Sequence, residues 1–174
     1  MMSLDIVLEN LNDLPDSLQK QKSAKTCRHP LLAWDMISMT LKEEKIESLR
    51  KLKSLSQEYQ WSFDTATLVK SKFDALVVTD LNQKILWASI GFERMTGYKP
   101  AEVIGLKPSL LQGAKTEPST KRKIKKAISN LKGLETALIN YKKDGTEYLC
   151  HIRIIPLHRE NQQVTHFLAV ESSI

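Results

Sequence analysis

The chain of 174 residues is 41% hydrophobic, 26% charged and 6% aromatic, which suits one ordinary domain or a small domain with an extension. Six Gly and six Pro are average usage, and two Cys, Cys27 and Cys150, exclude a disulfide framework and are expected to be free thiols. No apolar run approaches the roughly 18 residues of a spanning helix, and the acidic start MMSLDIVLENLNDLPD is unlike a secretory signal, so a reducing, cytoplasmic protein without a membrane role is expected.

The net charge of +6 is unevenly spread: residues 1–72 hold 11 basic and 10 acidic side chains, residues 73–174 hold 15 and 10. The first part reads as helical. Leu4, Val7, Leu8 and Leu11 lie three or four apart on a short helix ended by Pro15, and a second weak helix fits 17–24. After a break at 25–30, Leu41, Ile46, Leu49, Leu52, Leu55 and Tyr59 line one side of a helix of about five turns, with Lys, Arg and Glu on the others. That stripe packs either on the downstream domain of the same chain or on a second copy. Packing within the chain is the favoured expectation, since the stripe is short for a self-sufficient coiled coil.

From Phe73 the period changes. DALVVTD and KILWAS, joined by Leu81, Asn82 and Gln83, predict a β-hairpin. Short helices are expected over 90–95, halted at Gly97, and over 100–104, halted at Gly105, the second with Pro at its first position and Gly after its last. Residues 118–131 predict a longer helix with Ile124, Ala127, Ile128 and Leu131 on one face. Three strands then follow, LETALINYKK, TEYLCHIRIIPL and QVTHFLAVES, the first two joined by the turn Lys143, Asp144, Gly145. Strands flanking a block of helices argue an α+β fold, an antiparallel sheet with helices on one face.

The stretch DALVVTDLNQKILWASIGFERMTGYKPAEVIG resembles the N-terminal signature of the PAS sensory domains, and the resemblance covers about residues 73–172. It implies a five-stranded antiparallel sheet for residues 73–174, preceded by a helical extension over 1–72. Within that family GLKPSLLQGAKT, LINYKKDG and HFLAVE are similar to the flavin-binding loop, the following hairpin and the last strand of the LOV photoreceptors. The resemblance places Pro108 where the LOV photocycle needs a thiol, Lys107 for the preceding Asn and Ser109 for the following Arg. Asn140 keeps one amide that faces the flavin, whereas Cys150 and Glu171 stand for the next amide and the final Gln; Gln112 matches the Gln of the loop. The polar set that fixes a flavin is therefore mostly absent, and a carboxylate at the ring nitrogen would carry a desolvation cost. No cofactor is the first expectation; FMN or FAD, bound non-covalently through Gln112, Asn140, Cys150 and Glu171, is the second.

Other chemistry is weaker. Cys150 is expected to face the sheet interior as a small buried hydrophobe. Cys27 and His29 are two apart but lack two further ligands for structural zinc. Haem through a histidine is not expected, because His151 and His166 alternate with apolar neighbours as on an exposed sheet face. The basic run Lys121, Arg122, Lys123, Lys125 and Lys126 reads as the solvated face of a helix, without the interleaved aromatics of a nucleic-acid surface. No catalytic motif appears, and the few residues after 172 leave no length for a catalytic output, so an enzyme is not expected.

The resulting expectation is a non-catalytic PAS-type sensory module that binds a small ligand or a protein partner. Its cavity would be lined by Leu76, Val78, Met95, Ile104, Leu111, Ile128, Leu138, Ile152 and Ala169. Ile46, Leu49, Leu52, Leu55 and Tyr59 would form the transmitter or dimer helix, with a signalling protein or a second copy as partner. The rivals are a non-covalent flavin photosensor or redox sensor and an interaction domain whose cavity its own side chains fill.

Overall fold

The computed structural model of the protein describes residues 30–69 and 71–174. The helices expected around Leu4–Leu11 and over 17–24, and the Cys27–His29 pair, lie outside the described residues. Helix α1 spans Pro30–Glu58 and α2 Ala66–Val69. They are followed by β1 (Ala75–Asp80), β2 (Ile85–Ala88), α3 (Ile90–Thr96), α4 (Pro100–Val103), a 3-10 turn (Pro108–Leu111) and α5 (Pro118–Ser129). Strands β3 (Leu134–Tyr141), β4 (Glu147–His158) and β5 (Val164–Ser173) complete the order.

The strands form one antiparallel sheet in the order β2-β1-β5-β4-β3. Its first and last strands pair across the centre, with Ala75 opposite Glu171 and Val77 opposite Ala169. The β1–β2 turn forms because Asp80 Oδ1 accepts from the Lys84 amide and Gln83 takes a positive φ of 64°. Helix α3 stops where Gly97 turns left-handed at φ 77°, its amide returning to the Glu93 carbonyl, a conformation that Cβ-bearing residues resist. Gly91 opens the same helix against the Asp74 carbonyl so closely that a Cβ there would sit 1.9 Å from that oxygen.

The chain divides into two compact units, Met1–Lys42 and Glu43–Ile174. In the first, the described residues belong to α1, and Met36, Ile37, Met39 and Leu41 are exposed. In the second, the rest of α1 lies with the sheet, so this unit begins well upstream of Phe73. Successive strand residues point to opposite faces, and both faces of the central strands are covered. On the inner face Ala75, Val77, Ile85, Phe92, Met95, Val103, Leu111, Leu138 and Cys150 form one cluster. On the outer face Leu52 and Leu55 of α1 pack with Trp61, Leu68, Leu76, Val78, Leu157, Leu168 and Val170. Leu49 and Tyr59 join at its margin, and Ile46 is half-buried. The stripe of α1 is thus spent within its own chain from Leu49 onward. Among the described residues no helix is long and apolar enough to cross a membrane.

Candidate functional site

Between the inner sheet face, the 3-10 turn and α5 lies a cavity of about 80 Å³. Most of its wall is apolar: Leu111, Ile124, Ile128, Leu138, Ile152, Ile154, Phe167 and Ala169. Helix α5 presents Ile124 and Ile128 to it and turns its lysines to solvent, the amphipathic division expected of a surface helix. Pro108 and Ser109 close one side, and Gln112, Asn140 and Glu171 supply polar groups, with Thr79 and Gln83 completing the wall.

Two of these groups stand out. Asn140 is 5% exposed and Glu171 3%, yet Asn140 Oδ1 and Glu171 Oε2 find no hydrogen-bond partner. Buried polar atoms are nearly always satisfied, and an unmet one costs about 1–3 kcal/mol. The Tyr148 hydroxyl, whose residue pairs with Asn140 across β3 and β4, is buried beside that amide and interacts with it without forming a hydrogen bond of good geometry. Desolvation pushes the Glu171 carboxyl up to about 7, so near neutrality it exchanges between carboxylate and carboxylic acid. Burial, and secondarily the Glu171 charge, also raise the Tyr148 hydroxyl and the Cys150 thiol. Cys150 is therefore a protonated, fully buried thiol that makes a long contact with the His151 carbonyl, 3.8 Å away.

The structure brings Gln112, Asn140 and Glu171 to one cavity with Leu111, Ile128, Leu138, Ile152 and Ala169. It packs Cys150 in the adjoining cluster, outside the cavity wall. Four expected lining residues lie elsewhere. Leu76 and Val78 face α1 on the opposite side of the sheet, because the inner parity of β1 belongs to Ala75 and Val77. Ile104 follows the end of α4 and is half-exposed, and Met95 is buried in the inner cluster without reaching the cavity. His166 is a further correction: it lies on the outer face but is only 8% exposed, covered by Tyr59 and Trp61. His151 sits on that face beside Glu135, at 3.1 Å. Thr79, Gln83, Ile154 and Phe167, which the sequence did not assign to the cavity, also line it.

Residues 74–172, more than half of the chain, match the family model described as PAS domain. The chain belongs to the PAS domain family. Its relatives include LOV domains. Over 100 residues, 56% of this chain and 29% of the relative, it is 30% identical to blue-light-activated histidine kinase 2 of Erythrobacter litoralis. The solved LOV domain of the Erythrobacter litoralis EL346 blue-light activated histidine kinase is 29% identical, with a TM-score of 0.56 over 60% of this chain and 98% of that one. The PAS domain of the fruit-fly ELK potassium channel is as similar, at 31% identity and a TM-score of 0.57 over 63% of this chain and 93% of that one. The PAS chain spans less than a third of the length of the curated relatives it matches. None of the residues lining the PAS cavity carries a thiol.

Proposed function

We propose that the chain is a non-catalytic sensory module of the cytoplasm whose PAS cavity binds a small molecule and whose α1 transmits its occupancy to a signalling partner or a second copy. One observation carries this reading. Two acceptors, Asn140 Oδ1 and Glu171 Oε2, are buried without a hydrogen bond of good geometry in a mostly apolar cavity, and a ligand that offers them hydrogen-bond donors removes their cost. Transmission has a direct route, since Ala169 and Glu171 of β5 face the cavity while Leu168 and Val170 of the same strand pack against α1. A ligand shifts such a pair of arrangements only to the extent that it binds one of them better. The test compares protein as purified with protein unfolded, dialysed and refolded. Bound ligand stabilises only the folded state, so the purified protein melts several degrees higher; equal melting temperatures contradict the proposal.

A second reading, a flavin held without a covalent bond, is favoured by the similarity to LOV domains and by the shared lining of Gln112, Asn140 and Glu171. The two unpartnered acceptors suit the N–H edge of such a ring. The cavity volume does not suit it: about 80 Å³ is well below the roughly 300 Å³ at which drug-sized pockets begin, so the 3-10 turn and α5 would have to move outward. Pro108 at the cavity wall offers no sulfur for a photochemical bond. A yellow purified protein that releases its chromophore into the filtrate on denaturation supports this second reading, and a colourless one excludes it.

A further inference from the structure

We propose that Tyr59, Trp61 and His166 form a proton-sensitive latch that fastens the end of α1 to β5, closed while His166 is neutral and opened when it is protonated. This goes beyond ligand binding, because the proton itself is the signal and the cavity plays no part.

The latch is built where the chain leaves α1. Gln60 takes a positive φ of 57° and turns the backbone, so that Trp61 makes an isolated antiparallel bridge with Arg159 and the Ser62 amide donates to the His158 carbonyl at 2.8 Å. The indole is thereby laid on the outer sheet face. Its Nε1–H donates to His166 Nδ1 at 3.2 Å and to Thr165 Oγ1 at 3.1 Å. Tyr59 stacks on Trp61, with ring centroids 5.1 Å apart, and covers His166 at 4.4 Å. The Ser56 hydroxyl, on the last turn of α1, donates to the Trp61 carbonyl at 3.1 Å, which ties the helix end to the same cluster.

An Nδ1 that accepts from an N–H belongs to a neutral ring whose proton is on Nε2. Protonation places a second N–H at Nδ1, directly opposite the indole N–H, and two donors then meet with no acceptor between them. The Thr165 hydroxyl can rotate to accept from Nδ1, at 2.9 Å, but the indole bond to His166 is lost. The charged and titratable groups around the ring are few. Asp80, its register partner on β1, favours the imidazolium, Arg159 opposes it, and the Tyr59 ring covers it. Burial dominates and holds His166 below the usual histidine range. A depressed folded-state pKa gives stability that is present above the unfolded value and is lost as pH falls through the folded one, so the latch opens on acidification.

Hydrogen exchange of the full chain at pH 7.5 and pH 5.5 tests this, with rates corrected for intrinsic exchange. Amides of residues 49–59 are expected to lose protection at the lower pH, while H166N, neutral at both values, shows no such change. The control separates His166 from Glu171, which titrates in the same window. Unchanged protection in the wild type, or an equal acceleration in H166N, overturns the latch. Should H166N fail to fold, the wild type decides by NMR: the indole N–H resonance of Trp61 is expected to titrate with the midpoint of the His166 ring protons, and an indole resonance that ignores that midpoint overturns the proposal.

Discussion

Glu171 is the residue on which the chemistry of the cavity turns. Its carboxyl ionises near 7 in the folded protein, against an ordinary 4.5. A raised folded-state pKa contributes stability that is complete below the unfolded value and is lost as pH rises through the folded one. Stability is therefore expected to fall between about pH 5 and pH 8, by about 3 kcal/mol at most. E171Q removes the ionisation, so it is expected to be more stable than the wild type at pH 8 and to lose the Glu171 share of that fall; urea denaturation at both ends measures it. Asn140 gives the complementary case. N140L replaces an unpartnered amide by an apolar group of similar size, so it is expected to leave stability within about 1 kcal/mol while abolishing ligand retention. Gly91 is a purely structural constraint. A methyl there meets the Asp74 carbonyl, which β1 fixes in place, and G91A is expected to cost about 2 kcal/mol in the denaturation midpoint.

At the scale of elements, α1 is divided in role along its length. Leu52 is wholly buried and Leu41 is 42% exposed, although one periodic stripe contains both. L52A is expected to cost about 2–5 kcal/mol by opening a cavity against the outer sheet face, and L41A less than about 0.5 kcal/mol; thermal unfolding of the two variants checks the difference. Removal of residues 1–60 would therefore strip the cover from Leu76, Val78 and Leu168, and would act first on stability.

The elements themselves were legible because their signals are local: the Asp80–Lys84 turn, Pro100 before Gly105, and the alternation in β4 and β5. The faces of β1 were not. ALVV, the first four residues of β1, is apolar without a break, since α1 covers one side and the inner core the other, and period-two logic has nothing to read in a strand buried on both sides. The polar edge of the cavity was legible through Gln112, Asn140 and Glu171. The latch was not, because Trp61 and His166 are 105 positions apart and meet only after the chain reverses past Gln60.

For the whole molecule, the PAS sheet separates two surfaces with different coverings. The inner surface holds unpartnered polar atoms in an apolar cavity, and the outer surface binds the helix that leads toward the N-terminus. One strand, β5, contributes side chains to both. The account depends on the inner atoms having a partner outside the protein. Native mass spectrometry of the full chain, recorded under gentle and then denaturing conditions, tests this most directly. One small molecule per chain is predicted, released on denaturation and missing from N140L. A wild-type chain that flies at its bare mass under the gentlest conditions would contradict the account.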